Sequence, residues 1–165
     1  MTGPVAVSVM PLENRRPAIL RLALEAERRG YDAFYLPETW AYDTTVLLAE
    51  AATRTESIGL GTGILSVWGR SPGTFAMAAA TLHEVSGGRF TLGLGASTRQ
   101  LVEGLHDVAF DQPLARMRRI TTQVRALLRG ERIPLAREAG TRALRLNLRP
   151  APALPISLAG LSAES

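Results

Sequence analysis

A chain of 165 residues with 46% hydrophobic and 21% charged content is long enough for one buried core and too apolar for an intrinsically disordered segment. It contains no cysteine, which excludes disulfides, zinc–thiolate sites and a thiol nucleophile. The net charge of +4 comes from arginine alone, since lysine is absent; with aromatic residues at 5% and no nucleic-acid motif, it reads as solvated helix faces and not as a nucleic-acid site.

Val5–Met10 is a compact apolar strand with no basic residue before it, unlike a secretory leader. Glu13 to Arg29 carries Ile19, Leu22, Ala23 and Ala26 at helical spacing, and Gly30 stops that helix. Ala33–Leu36 is the second strand. Asp43 is an N-cap for a helix running through Val46, Leu47, Ala51 and Ala52 to about Thr55. Ile58–Leu65, with three interleaved glycines, is the third strand. Ser71 caps and Pro72 opens an alanine-rich helix to Val85, which Gly87 and Gly88 end. Phe90–Leu94 is the fourth strand, and Ala96 to about Gln112 reads as irregular. Pro113 starts a helix with Met117, Ile120, Val124 and Leu127 on one face, stopped by Gly130. Arg132–Leu148 has the mixed pattern of a hairpin excursion. Pro150, Pro152 and Pro155 then frame a short fifth strand, Ile156–Ala159.

Apolar strands alternating with helices predict a parallel sheet with helices outside it. Two architectures satisfy this, an open doubly wound sheet and a closed (β/α)₈ TIM barrel. The first strand–helix turn, Met10-Pro11-Leu12-Glu13, has no glycine and so is no dinucleotide fingerprint, which weighs against the open form. Five strands are readable where a barrel needs eight and about 250 residues. The expectation is a single α/β domain over 1–165 holding the first five β/α units, a partial barrel truncated on its C-terminal side. No apolar run is long enough to span a membrane. Two histidines, His83 and His106, are too few for a His-rich metal site, so no metal is expected. A cysteine-free chain suits a cytoplasmic setting.

Four stretches in order carry a resemblance: Arg29-Gly-Tyr-Asp-Ala-Phe-Tyr-Leu-Pro-Glu38, Thr53-Arg-Thr-Glu-Ser-Ile-Gly-Leu-Gly-Thr-Gly-Ile64, Gly69-Arg-Ser-Pro72, and Leu82-His-Glu-Val-Ser-Gly-Gly-Arg-Phe-Thr-Leu-Gly-Leu-Gly-Ala96. The chain resembles the luciferase-like monooxygenase family, in particular its flavin- or coenzyme F-420-dependent members. The resemblance implies a barrel, a homodimer, and a cofactor ring (FMN or coenzyme F-420) at the C-terminal ends of the strands, where barrel active sites lie in general.

By that resemblance Thr62, Gly63 and Ile64 support one face of the ring, with a non-proline cis peptide at Gly63–Ile64. Read by residue type alone, the same glycines also suit a strand packed tightly on a helix. Ala96 and Ser97 line the pocket, and Arg99 either pairs with a phosphate or is a solvated loop residue. Gly160 and Ser162, after the fifth strand, belong to the cofactor-phosphate region at a helix N-terminus. Relatives place a histidine or aspartate near the end of the second strand, where this chain has Glu38, Thr39 and Trp40. Glu38 is the candidate acid or base if burial raises its pKa, and Trp40 the candidate to stack on the ring or exclude water. His83 falls on the outside of the barrel, and His106 in the loop after the fourth strand. The small residues of Ala76–Ala80 suit close helix packing, on the sheet or at a dimer interface.

The function implied is oxidoreduction of a small-molecule substrate, either a flavin monooxygenation of paired donors or a hydride transfer with coenzyme F-420. The alternative is a non-catalytic barrel fragment, or one half of a split or dimer-completed barrel, because a partial barrel leaves open sheet edges.

Overall fold

The computed structural model describes residues 3–134 and 141–160. The elements are β1 (Ala6–Ser8), α1 (Arg16–Arg28), β2 (Ala33–Pro37), α2 (Thr44–Arg54), β3 (Gly59–Ser66), α3 (Pro72–Val85), β4 (Phe90–Gly95), α4 (Arg99–His106), α5 (Pro113–Leu128) and β5 (Ile156–Ala159). Local chemistry fixes most helix starts. Asp43 accepts the Thr45 and Val46 amides, Ser71 accepts the Thr74 amide ahead of Pro72, and proline opens α5.

Three expectations need correction. The stretch read as irregular contains α4, capped by the Thr98 hydroxyl; its eight residues are too few to show a helical period, and Gly104 masks it further. Helix α1 begins at Arg16 and not at Glu13, because the Glu13 side chain accepts the Arg15 backbone amide and guanidinium in a turn of its own. The expected hairpin finds no strand among the described residues 132–134 and 141–148, and 135–140 lie outside the description.

All five strands are parallel and lie in sequence order, β1-β2-β3-β4-β5. A crossover between parallel strands is right-handed, so unbroken sequence order puts every connecting helix on one face. A doubly wound sheet reverses its order midway and has helices on both faces; this sheet is the wall of a barrel. Its outer face carries Phe34, Leu36, Leu60, Phe90, Leu92 and Leu94. These pack with Leu48 of α2, Phe75 and Ala76 of α3 and Val124 of α5, all at most 4% exposed. Fully burying one such leucine or phenylalanine contributes about 1.5–3 kcal/mol. Strand alternation sends Ser8, Tyr35, Gly61, Thr91, Gly93 and Ser157 to the inner face, which is rich in small and polar groups.

Two charged side chains brace the N-terminal end of the wall. The Glu27 carboxylate accepts the amides of Glu56, Ser57 and Ile58 at 2.7–3.0 Å. Burial pushes the Glu27 carboxyl up, but those three amides and the Ser57 hydroxyl outweigh it and hold the group below its ordinary range. The Arg89 guanidinium donates to the carbonyls of Ala52, Thr55, Ile58 and Ser86.

Candidate functional site

At the C-terminal end of β2, the Glu38 amide donates to the Ile64 carbonyl at 3.2 Å, tying the end of β2 to β3. Both Glu38 carboxylate oxygens meet the Arg70 guanidinium, at 2.5 and 2.7 Å, and Arg70 also donates to Asp43 at 2.9 Å. The Arg70 and Glu38 side chains are only 13% and 12% exposed. The bonds to Glu38 raise the Arg70 pKa further. Burial pushes Asp43 up, yet its bonds from the Thr45 hydroxyl and from Arg70 hold it below its ordinary value. Glu38 is therefore engaged as the acceptor of an arginine fork, with neither oxygen free of a partner. Trp40, by contrast, is 61% exposed and lines an open groove with Leu12, Asn14, Ala41 and Tyr42. Met10, just after β1, is 78% exposed and lines an adjoining pocket with Thr39, Ala41 and Tyr42.

Between β3 and β4 the pairing jumps from Gly61–Thr91 to Leu65–Leu94, so three residues of β3 stand against two of β4. This is a β-bulge. The buried Thr62 hydroxyl holds it, accepting the Gly93 amide at 2.7 Å and donating to the Gly93 carbonyl at 2.8 Å. A side-chain hydroxyl thus takes the place of a peptide group in the ladder. Every peptide bond among the described residues is trans, Gly63–Ile64 included, so the expected cis bond is absent. The bulge instead comes from the extra residue and the Thr62 hydroxyl. Space around it is tight: a Cβ on Gly63 would lie 2.9 Å from the Pro37 nitrogen, and one on Gly95 would lie 3.0 Å from Ile64 Cδ1. Thr62, Gly63, Ile64 and the end of β4 are therefore assembled at one place.

Ala96 and Ser97 follow β4 directly, and Ser97 adopts a left-handed backbone (φ 63°) unusual for a residue with a side chain. Arg99 opens α4. Its guanidinium pairs with Glu103 at 2.6 Å, reaches the Phe110 carbonyl and lies over the Phe110 ring. Gly160 is exposed just past β5, and Ser162 lies outside the described residues. His106 packs against Gly69, and His83 lies beside Gly88 at the far end of α3.

Sequence reading gave no role to Arg70 or to one residue beyond β3. Arg116, one of the arginines read as solvated helix charge, stacks on the buried Trp68 ring at 4.3 Å and donates to the Val67 carbonyl beyond β3. Burial, and then Arg119, lower its pKa. No carboxylate pairs with it among the described residues, and the Trp68 indole N–H is buried without a partner. A contact between residues 67 or 68 and 116 leaves no trace in local spacing.

The wall of five parallel strands in sequence order, with its helices on one face, defines the class: part of a (β/α)₈ barrel. The chain belongs to the luciferase-like monooxygenase family, whose profile matches residues 4–165. It is 38% identical over 139 residues to a Mycobacterium tuberculosis protein named as a coenzyme F-420-dependent oxidoreductase, covering 78% of this chain and 40% of that relative. An F-420-dependent secondary alcohol dehydrogenase in complex with an F-420–acetone adduct superposes with a TM-score of 0.80 at 18% identity, over 97% of this chain and 53% of that one. The oxygenating constituent of 3,6-diketocamphane monooxygenase from Pseudomonas putida, in complex with FMN, gives 0.79 at 16%, over 96% and 51%. The chain thus spans two-fifths of that relative and about half of those structures.

Proposed function

We propose that this chain supplies the first five β/α units of a coenzyme F-420- or FMN-dependent oxidoreductase acting on a small-molecule substrate. The observation that carries this is the Thr62–Ile64 bulge over Gly95, a close-packed ledge of backbone at the strand ends suited to a flat ring. The residues fit such a cofactor. Thr62, Gly63 and Ile64 support the ring, Ala96 and Ser97 border it, and Arg116, which has no carboxylate partner among the described residues, offers its guanidinium to a phosphate. The bound ring supplies the redox chemistry, by hydride transfer or by reaction with O₂. The chain's own residues place the ring and exclude water: Trp40 walls the rim, and Glu38 serves as a positioning group through Arg70. Arg99, Gly160 and Ser162 are assigned to the site on the family resemblance alone. The relative named for coenzyme F-420 favours the deazaflavin over FMN. Absence of cysteine suits a cytoplasmic setting, where thiol-free chains lose nothing.

Binding of FMN, riboflavin and coenzyme F-420, followed by ring fluorescence, tests this. Micromolar binding of FMN or coenzyme F-420 is expected. Arg116→Met is expected to weaken FMN about tenfold and riboflavin, which lacks the phosphate, hardly at all. Equal weakening of both would remove Arg116 from phosphate binding. No ring binding by the folded chain would favour the second reading, a non-catalytic fragment or a half that is completed by another chain. The open edges of β1 and β5 are the observation behind that reading.

A further inference from the structure

The segment Glu38–Asp43 joins β2 to α2 and carries Trp40 on the C-terminal rim. Arg70, which lies after β3 and far away in sequence, bonds to both ends of it: twice to Glu38 and once to Asp43. We propose that Arg70 is a positioning residue that clamps the two ends of this segment together and so sets where Trp40 stands over the site. The relevance of Trp40 to a substrate rests on the cofactor reading above; the clamp itself does not.

The hydrogen bonds of the segment support this. Glu38 is held at its amide by Ile64, and the Tyr42 hydroxyl donates to the Asn14 carbonyl at 2.9 Å. Trp40 and Ala41 make no such bond among the described residues, so their placement depends on how the ends are fixed. Arg70 fixes them strongly because its fork matches the Glu38 carboxylate in a plane, at a position nearly closed to water. The third bond reaches Asp43, whose other oxygen is held by Thr45 at the head of α2, so neither anchor can swing independently. A lysine would bring the charge without the fork. A neutral side chain would leave the Glu38 charge with only the long bond from the Thr44 amide, at 3.4 Å, and no cation, a state that drives the carboxylate outward and the segment with it.

The test uses the full chain with Arg70→Met, Arg70→Lys and Glu38→Gln, each with and without Trp40→Phe. Subtraction then isolates the emission of Trp40 from that of Trp68. Trp40 anisotropy is expected to fall by about half in Arg70→Met and Glu38→Gln, and less in Arg70→Lys, as nanosecond loop motion is released. Far-UV circular dichroism and Trp68 anisotropy should stay unchanged. An unchanged Trp40 anisotropy in folded Arg70→Met overturns the proposal, as does an equal fall for Trp68, which marks a general loosening. Should Arg70→Met fail to fold, Arg70→Lys and Glu38→Gln decide by the same criteria. Titration with FMN in parallel keeps the two readings apart. If the wild-type chain binds no ring, the cofactor reading fails and the anisotropy still decides the clamp. If it binds, ring quenching of Trp40 must be stronger in wild type than in Arg70→Met.

Discussion

Glu27 and Arg89 never touch the C-terminal rim, yet each satisfies several backbone groups at the N-terminal end of the wall. That end of a barrel serves stability, and these contacts should be separable from binding. Glu27 has a folded pKa below its unfolded value, so the unfolded chain takes up protons first as the pH falls. Its contribution is full above the ordinary glutamate range of about 4.3 and is lost as the pH drops through the lowered folded value. Glu27→Gln is therefore expected to lower the urea midpoint at pH 7, with the gap to wild type closing as the pH is taken toward 3. A gap that does not change with pH would mean that the charge of Glu27 is irrelevant. Ring binding at neutral pH should be the same in both proteins.

Among the elements, β3 and β4 carry the feature that distinguishes this wall from a plain parallel sheet. The bulge depends on two glycines that tolerate substitution differently. A methyl group on Gly93 would overlap the Thr62 backbone carbonyl, which cannot move without undoing the bulge. A methyl group on Gly61 would meet the Tyr35 ring, a half-buried side chain that can turn away. Gly93→Ala is expected to cost about 2–3 kcal/mol and to abolish ring binding, whereas Gly61→Ala costs about 1 kcal/mol and largely retains it. Thermal melts and FMN titration of the two variants give the ranking, and the reverse order would contradict the assigned geometry.

For the molecule as a whole, apolar surface remains on the outer helices. Val46 of α2 is 65% exposed, and Met77 is 55% exposed on α3, the helix whose small residues Ala76–Ala80 suit close packing on the sheet or at a dimer interface. Two copies joined there would cover both side chains. Met77→Glu is expected to shift a dimer to monomer in light scattering, with unchanged circular dichroism. A wild-type chain that is already monomeric at tens of micromolar would remove this interface. A mass that stays dimeric in Met77→Glu would move it elsewhere, with the open edges of β1 and β5 the next surfaces to probe. Among the described residues no helix is long and apolar enough to cross a membrane.

The sequence alone determined nine of the ten elements of the described residues and their order, all but the short α4, because those strands and helices are written in local chemistry. Asp43, Ser71, Pro72 and Pro113 mark helix starts wherever they occur, and the runs at Phe90 and Ile156 need no partner to be recognised as strands. It also pointed to the family, through ordered stretches such as the one ending at Ala96. Only the tertiary structure decided what the side chains do. Glu38 reads as an acid or base until Arg70, thirty-two residues away, takes both its oxygens. Arg116 reads as a solvated helix charge until Trp68 is folded beneath it. Thr62 is expected at the ring face by resemblance, but that its hydroxyl stands in for a peptide of β4 is visible only in the fold. The physical reason is common to all three: a side chain's chemistry depends on its partners, and these partners are brought together by strand pairing and helix packing, which local spacing does not record.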